Sequence, residues 1–328
     1  MRTGGSTMSN WGVSLSVAVS LLFPGAVLAD SPWGAGYFPN VKLVNQDGVE
    51  RRFYDDVLKG KAVAVNLIYT HCTGTCPLET ARMAQVQKLL GDRVGKDIFF
   101  YSISIDPQRD TPQTLKAYMA RYHIGPGWEF LTGSDEAIKL VAKKLGLSSL
   151  TDRGNRDGHL PNLMVGNEAT GQWMQNSAVD NPRFLAATIA NFFGWKAAQP
   201  AHNYADLRTP PAVNKGLYLF NTRCAACHTI GRGDRLGPDL VDVPARRERS
   251  WAARFLAAPD RMLAEGDPVA VGLFEKYRNV RMPNLNLDDE EVSALLDYIV
   301  AQSRQVRSDS VKAAPGRTMS AATVPARR

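Results

Sequence analysis

The stretch AVAVNLIYTHCTGTCPLETARMAQVQ, residues 62–87, joins an apolar run to a helical pattern through a turn that carries two cysteines. The run from Ala62 to Ile68 is typical of a buried strand. Cys72 and Cys76 are four positions apart, so their sulfurs can share one face once the helix has begun. The positive end of a helix dipole stabilises thiolates there. The pair therefore predicts a soft metal site, a reversible disulfide, or both.

Apolar and helical runs alternate around this stretch from residue 61 to about residue 193. That alternation predicts a central sheet with helices packed on its faces. Two local signals agree with it. Thr111 precedes Pro112 as a helix N-cap, and NEATG at 167–171 has the composition of a hairpin turn. We therefore predict an α/β domain in this part of the chain.

The composition changes once more after residue 195, where the chain takes on linker character and then shows helical patterns without a convincing strand. The last residues are rich in Ser, Ala, Pro and Arg and contain no aromatic residue, which is typical of disorder. The predicted organisation is a signal peptide at 1–29, an α/β domain at 30–195, a linker at 196–210, an all-α domain at 211–302 and a disordered basic tail at 303–328.

The N-terminus carries one charge, Arg2, ahead of a mostly apolar run that ends in small residues. This is the pattern of a secretory signal peptide, with cleavage after Ala29. An uncleaved membrane anchor is the alternative, which Pro24 and Gly25 weaken in a run already short for a bilayer. Export predicts a periplasmic location and leaves peripheral membrane association open. Cysteine pairs outside the cytosol oxidise unless a metal, cofactor or reductant claims them.

The formal net charge of +7 is concentrated at the end of the chain. Residues 303–328 carry six Lys or Arg against one Asp, a net charge of +5, and Arg2 adds one positive charge. The rest of the chain is therefore nearly neutral. No basic patch predicts a nucleic-acid partner.

The other two cysteines lie in TRCAACHTIG, residues 222–231, with a histidine directly behind them. In an exported chain, CxxCH is the attachment signature of c-type haem. Cys224 and Cys227 would become thioethers, and His228 would become the proximal iron ligand. Half of a zinc site and a redox dithiol are the alternatives. Zinc would need two further Cys or His ligands, and residues 229–328 contain none.

A second iron ligand is expected on a loop before a final helix, and VRMPNLNLDDEEVSALLDYIV, residues 280–300, supplies Met282 there. Asp288 and Glu291, three residues apart, form a capping box for that helix. Met262 is the alternative ligand, but it lies in a helical pattern, where methionine is more often part of a core. We therefore predict histidine–methionine ligation.

Residues 210–302 resemble a class I cytochrome c, an all-α domain. In that family a loop containing Gly-Pro follows the haem motif, and the resemblance implies that Pro238 orients His228. Gly216 stands where the first helix of that family meets the last, and Tyr298 is its expected neighbour.

THCTGTCP at 70–77 and SISIDPQRDTPQTLKAY at 102–118 resemble the Sco/SenC family of thioredoxin-like copper proteins, and the resemblance extends over about residues 38–193. Members of that family bind copper through both cysteines of CxxxCP and a histidine far downstream, ahead of a late strand. The resemblance implies three copper ligands in this chain: Cys72, Cys76 and His159.

The donor types favour copper over zinc. Two thiolates favour Cu(I), an added imidazole also allows Cu(II), and zinc would want a fourth ligand. His71, His123 and His202 are interpreted as local structure, a helix end and a solvated linker residue. A plain stabilising disulfide is the remaining alternative, although closing so short a loop adds little stability.

Together the resemblances imply an α/β thioredoxin-like domain followed by an all-α cytochrome c domain. They imply a periplasmic copper chaperone for the copper site of a haem–copper oxidase, with one covalent haem c for electron transfer. The main alternative is a thiol–disulfide oxidoreductase in which Cys72 attacks and Cys76 resolves. A redox sensor or electron carrier is a third, and whether the protein is an enzyme stays open. A copper site requires His159, whereas a dithiol exchanger does not.

Overall fold

The structure is a computed structural model. It describes residue 1 and residues 33–147, 160–195 and 214–313, with side chains described as far as residue 310. Residues 2–29 of the predicted signal sequence, His159, the predicted linker and the last fifteen residues lie outside the described residues. Those described from Trp33 onward belong to one compact unit. Within the described ranges, no helix is long and apolar enough to cross a membrane.

A seven-stranded mixed sheet forms the centre of the first half of the chain. Its strands are β1 (Lys42–Asn45), β2 (Glu50–Arg52), β3 (Ala62–Ile68), β4 (Phe99–Ser104), β5 (Trp128–Gly133), β6 (Asn162–Asn167) and β7 (Gln172–Ser177). They lie in the order β2-β1-β5-β4-β3-β6-β7. β4 runs parallel to β3 and β5, and the other neighbours are antiparallel. The loops that follow β3 and β4 therefore meet at one edge of the sheet.

Four helices pack on this sheet: α1 (Cys76–Leu90), α2 (Pro112–Arg121), α3 (Asp135–Lys144) and α4 (Pro182–Phe192). Alternate residues of β3 point to opposite faces, as the pleat requires. Ala64 and Ile68 join the core that contains buried residues of α1, α2 and α4, whereas Val63 and Val65 join the core that contains α3. The central strand is thus buried on both sides, as its mostly apolar sequence predicts.

The local signals found in the sequence are confirmed. The Thr111 hydroxyl accepts a hydrogen bond from the backbone N–H of Thr114 at 3.2 Å, which caps α2 ahead of Pro112. β6 and β7 form the antiparallel hairpin predicted at NEATG. Gly171 closes the turn at a φ of 67°, which glycine adopts at little cost.

The second half of the described chain is helical. Its helices are α5 (Lys215–Leu219), α6 (Val243–Arg246), α7 (Arg249–Ala257), α8 (Pro259–Ala264), α9 (Pro268–Lys276) and α10 (Asp289–Ala313). The capping box is present at the start of α10: Glu291 N–H donates to Asp288 Oδ1 at 2.7 Å, and Asp288 N–H donates to Glu291 Oε2 at 3.3 Å. An α/β region followed by an all-α region is thus confirmed.

The last helix continues eleven residues beyond the predicted end of its domain, to Ala313. The predicted disordered tail is therefore wrong for residues 303–313. Ser303 is buried, and its hydroxyl donates to Ile299 O at 2.6 Å. Arg307 donates to Val241 O at 3.2 Å. These contacts extend the helix through a segment whose composition alone suggests disorder.

The crossing of α5 and α10 depends on Gly216. A Cβ at this position would stand 2.3 Å from Ala294 O and 2.6 Å from Tyr298 Cβ, too close for any side chain. Gly216→Ala is therefore expected to destabilise the helical region by about 2 kcal/mol, the cost of overpacking a core. Unfolding of the full-length chain by denaturant, followed by circular dichroism, measures it.

Gly272→Ala is the matched control when both variants are unfolded without haem, because Gly272 lies within α9 and no protein atom lies within 4 Å of its added Cβ. Alanine there is expected to stabilise by about 0.5 kcal/mol through the unfolded state. Equal effects at the two glycines would show that close packing against α10 is not what Gly216 provides.

Candidate functional site

The CxxxC turn follows β3 directly, at the edge where β4 also ends. α1 begins at Cys76, so Cys72 lies in the loop before the helix. The loop folds back, and Cys72 N–H donates to Tyr69 O at 3.3 Å. The thiols of Cys72 and Cys76 form a hydrogen bond. The two sulfurs thus meet as predicted, but through the fold of the loop rather than through a shared helical face.

A buried carboxylate holds the start of this loop. Asp110, in the segment after β4, accepts hydrogen bonds from the Thr70 hydroxyl at 2.6 Å, Thr70 N–H at 3.1 Å and the Ser104 hydroxyl at 2.6 Å. Its side chain is fully buried. His71 Nδ1 lies 3.2 Å from the Thr70 hydroxyl and 3.6 Å from Asp110 Oδ1. His71 therefore belongs to the anchor of the loop, in agreement with its interpretation as local structure.

Glu79, on the first turn of α1, links the end of the CxxxC loop to β3. Its carboxyl accepts hydrogen bonds from the Thr75 hydroxyl at 3.0 Å and from Asn66 Nδ2 at 3.3 Å. Burial raises the pKa of Glu79 to about 8, against the lowering effect of these two donors. At neutral pH the carboxyl is therefore mostly protonated, which spares a nearby thiolate from charge repulsion.

The two thiols of the CxxxC turn are buried and electrostatically unequal. Only 3% of Cys72 and none of Cys76 is exposed, and neither is in a disulfide. A hydrogen bond from the Cys76 thiol lowers the pKa of Cys72 to about 6, and backbone N–H groups at Cys76 and Gly74 act in the same direction. Burial raises the pKa of Cys76 well above its ordinary value. One thiolate stabilised by a neighbouring thiol is the expected ground state of the metal-free, reduced pair.

This inequality predicts a pH profile. In the reduced, metal-free protein, thiolate ultraviolet absorbance equal to one cysteine is expected to appear with a midpoint near pH 6. Because the folded pKa lies below the ordinary value of 9.0, the thiolate's contribution to stability is complete above about pH 9 and is lost as the pH falls through 6. Cys76→Ala should move the midpoint upward. A midpoint near 9 in the unsubstituted protein would contradict the arrangement.

The third predicted copper ligand, His159, lies outside the described residues. Across residues 33–147, 160–195 and 214–310, no cluster of three or more His, Cys, Asp or Glu side chains could hold a metal ion. His123 is exposed and follows the end of α2 at a φ of 55°. His159 therefore stays a ligand that the sequence predicts.

α5 continues into a wider helical turn, Phe220–Cys224. The CxxCH motif begins at the last residue of that turn. His228 Nδ1 lies 2.9 Å from Pro238 O, so Nδ1 carries the proton and donates to this carbonyl. The lone pair of Nε2 is then available to bind iron. Burial lowers the pKa of His228, which favours the neutral imidazole that metals bind. The Pro238 carbonyl thus does what the cytochrome resemblance implies.

A cavity of about 560 Å³ opens beside this motif. Cys224, Cys227, His228 and Met282 all line it, and most of its other lining residues are apolar, many of them on α7, α8 and α9. Met262, the alternative iron ligand, is buried within α8 and is not among the lining residues. A cavity of this size and polarity, with attachment cysteines and two axial donors on its walls, fits a haem.

The second cysteine pair differs from the first in its protonation. Burial raises the pKa of both Cys224 and Cys227 to about 12. Both remain thiols at neutral pH before haem is attached. The chain therefore keeps one low-pKa dithiol suited to metal or disulfide chemistry and one neutral pair beside a cavity.

Hydrogen bonds join the two cysteine motifs. Gln85 of α1 donates from Nε2 to Ala226 O, within CxxCH, at 3.0 Å. Asn284, in the loop that carries Met282, donates from its backbone N–H to Thr73 O, within CxxxC, at 2.7 Å. The helical region is therefore bound to the α/β region at the dithiol itself.

The same contact is also apolar. Ala226 is buried in the cluster that contains Cys72 and Cys76, and Cys227 packs against that cluster. Tyr122 is buried in the same cluster, and this burial raises its pKa. Cysteines of both pairs thus belong to or pack against the core that contains Tyr122.

Comparisons with known proteins divide the chain at the same place. The SCO1/SenC family profile matches residues 36–162, and the cytochrome c profile matches residues 213–303. A SCO2-like protein of Rickettsia felis is 31% identical over 158 residues, which are 44% of this chain and 74% of that protein. The fold and the two cysteine motifs thus define a thioredoxin-like protein joined to a cytochrome c domain. The chain belongs to the SCO1/SenC family.

Solved structures give similar matches. A SCO1/SenC family lipoprotein from Bacillus anthracis is 27% identical and covers 49% of this chain and 95% of its own, with a TM-score of 0.42. Bradyrhizobium japonicum ScoI, solved with copper bound, is 25% identical and covers 46% of this chain and 96% of its own, with a TM-score of 0.38.

Three residues that hold the CxxxC loop or the contact between the two halves escape sequence reasoning: Asp110, Arg82 and Gln85. Asp110 lies in the stretch that carries the Sco/SenC resemblance, so its position was available as a signal. Arg82 and Gln85 look like an ordinary polar face of α1. In the structure they contact the helical region, and no local pattern distinguishes a docked polar face from a solvated one.

Proposed function

We propose that this protein is a periplasmic copper-binding redox protein that delivers copper to the copper site of a haem–copper oxidase and carries one covalent haem c. The observation that carries the proposal is the reduced, hydrogen-bonded Cys72–Cys76 pair in a chain of the SCO1/SenC family. Its contact with the CxxCH motif supports a combined copper and haem function.

The donor chemistry supports copper. Two sulfur donors, one of them with a pKa of about 6, form a soft site that binds Cu(I) in preference to hard cations. An imidazole from His159 would make the site three-coordinate and able to hold Cu(II) as well. Cys72 and Cys76 are buried, and the neighbouring Glu79 carboxyl is mostly protonated at neutral pH. Little negative charge from Glu79 therefore acts on the sulfur donors.

Haem attachment through Cys224 and Cys227, with His228 and Met282 as axial ligands, fits the lining of the cavity. A haem c so held supplies one-electron transfer. The residues of this chain fix the histidine tautomer through Pro238, exclude water with apolar walls and hold the Met282 loop against the dithiol.

The sequence supports the proposed location and partner. Cleavage of residues 1–29 would release the folded part into the periplasm. A copper-accepting oxidase subunit is the partner that the family resemblance implies.

Thiol–disulfide exchange is the second candidate function, favoured by the inequality of Cys72 and Cys76. A Cys72 thiolate with a pKa near 6 is suited to attack a disulfide of a partner. The neighbouring Cys76, protonated at neutral pH, can then resolve the mixed disulfide. In this alternative His159 has no role.

The two candidates differ in metal content and turnover. We would measure copper and haem per chain in protein isolated from a copper-replete periplasm, and then assay reduction of a disulfide substrate. About one copper per chain without turnover supports the chaperone. Turnover without copper would overturn it in favour of the oxidoreductase.

His159→Ala separates the two copper oxidation states. Both thiols remain, so the affinity for Cu(I) is expected to change by less than about tenfold, whereas Cu(II) affinity should fall far more because its imidazole donor is lost. Competition titrations with each ion measure the two affinities, and His123→Ala is the matched histidine control. Equal losses for the two ions, or no loss of either, would remove His159 from the ligand set.

A further inference from the structure

Arg82 is a buried cation at the contact between the two halves of the protein. It lies on α1, six residues after Cys76, and only 3% of it is exposed. Its guanidinium donates to two backbone carbonyls: Val179 O, in the α/β region, and Thr222 O, two residues ahead of Cys224. The α/β region therefore places a positive charge against the segment that begins the CxxCH motif.

This charge is poorly compensated. Within the described part of the chain, Arg82 Nε has no hydrogen-bond acceptor, and no carboxylate oxygen lies within ion-pair distance of the guanidinium. Burial lowers the pKa of Arg82, and the negative charge of Asp180 acts in the opposite direction without matching it. An arginine side chain remains charged even so, because its ordinary pKa is above 12.

The cation lies beside the segment that would hold the haem. Its hydrogen bond to Thr222 O places the guanidinium two residues ahead of Cys224. Gln85, three residues further along α1, donates to Ala226 O, and Cys227 packs against the buried cluster that contains residues of α1. Both sulfurs become part of the covalent frame of an attached haem c, so a fixed charge beside this segment acts on the haem.

We propose that Arg82 of the α/β region raises the reduction potential of the haem in the cytochrome c domain. The inference rests on the haem of the proposed function. Reduction of ferric to ferrous iron adds one electron and removes one positive charge from the site, so a fixed buried cation stabilises the reduced form. Few solvent molecules screen the interaction, since the guanidinium is buried.

The effect couples the two halves of the protein. Arg82 is on the helix that starts at Cys76, and Gln85 on the same helix fixes the contact with Ala226. The haem therefore has the raised potential only while α1 is docked against the CxxCH segment. By reciprocity, a reduced haem favours the docked state over a separated one.

The test uses full-length protein with haem attached. Arg82→Gln removes the charge, Arg82→Met removes it while keeping the aliphatic stem, and Arg82→Lys keeps it. Arg235→Gln is the matched control, because Arg235 also lies beside the CxxCH motif, where it donates to Ala225 O at 3.2 Å, but is exposed. Haem content and the absorption spectrum establish that the haem site is intact, and potentiometric titration gives the potential.

Both neutral substitutions are expected to shift the ferrous-to-ferric ratio at a fixed potential about tenfold toward ferric, which is 59 mV for one electron. Arg82→Lys and Arg235→Gln should shift it less than threefold. An unchanged potential in the neutral variants with an intact spectrum would overturn the proposal, as would an equal shift in Arg82→Lys. Loss of haem attachment in both neutral variants would make Arg82 a structural residue and overturn it as well. Absence of covalent haem from the unsubstituted chain would instead overturn the proposed function.

Discussion

Serine at both Cys72 and Cys76 is expected to lower the affinity of the full-length chain for Cu(I) by at least about a thousandfold, which is about 4 kcal/mol. Thiolate sulfur is a soft donor that matches Cu(I), whereas a serine hydroxyl is hard and stays protonated at neutral pH. Neither cysteine is in a disulfide, so the substitution breaks no covalent bond in the fold. Competition with a chromophoric Cu(I) chelator measures the loss.

The other cysteine pair provides the control for this experiment. Cys224→Ser, Cys227→Ser changes the same number of sulfurs in the same chain and should leave Cu(I) affinity within about threefold, provided circular dichroism shows an intact fold. Tight Cu(I) binding that survives in the Cys72→Ser, Cys76→Ser chain would mean that copper is held somewhere else.

The reciprocal substitution should abolish covalent haem. Thioether bonds need sulfur at Cys224 and Cys227, and serine cannot form them. The full-length Cys224→Ser, Cys227→Ser chain is therefore expected to carry less than about one hundredth of the covalent haem of the unsubstituted chain, a loss that attachment chemistry alone dictates. Haem staining after denaturing electrophoresis measures the covalent fraction.

Single substitutions refine this result, since one thioether can still hold a haem that His228 ligates. Cys224→Ser or Cys227→Ser alone should retain some covalent haem with a shifted spectrum. Undiminished haem staining in the double variant would contradict attachment at CxxCH and would leave the cavity beside it without an assigned occupant.

Much of the fold was predictable because its signals are local. The apolar run of β3, the N-cap at Thr111, the hairpin turn before Gly171 and the capping box at Asp288 each need only a few neighbouring residues to act. β1, β2 and β5 went unpredicted. β5 carries Glu129 as its second residue, and a charge is tolerated there because the carboxylate pairs with Arg51 of β2 at 2.9 Å and accepts a hydrogen bond from Asn45 Nδ2 at 3.1 Å.

The site was predictable as a set of residues rather than as an arrangement. The CxxCH motif by itself predicts covalent haem attachment. The Sco/SenC resemblance around CxxxC implies that Cys72 and Cys76 are copper ligands. Their unequal pKa values depend on burial and on the thiol–thiol hydrogen bond, which the spacing does not contain. The anchoring of the loop by Asp110 depends on two parallel strands ending side by side, a property of the folded sheet.

The contact between the two halves was the least predictable feature. Arg82 and Gln85 meet backbone carbonyls far along the chain, at Thr222 and Ala226, and backbone carbonyls have no sequence signature. The continuation of α10 past residue 302 has a similar cause, because Arg307 and Val306 pack on the loop after CxxCH.

The docking of the dithiol against CxxCH gives a physical reason for joining the two domains in one chain. Copper and haem iron each change by one electron, whereas forming a disulfide releases two, so copper is the simpler redox partner. A shared chain holds the two sites at high effective concentration. The alternative is that the fusion only brings two independent proteins to a common oxidase.

One measurement tests this account most directly. The full-length protein with haem attached is loaded with Cu(I), the haem is oxidised rapidly, and its reduction is followed at several protein concentrations. The account predicts a reduction rate that does not depend on protein concentration and that vanishes in the Cys72→Ser, Cys76→Ser chain. A rate proportional to protein concentration, or reduction that persists without these cysteines, would contradict it.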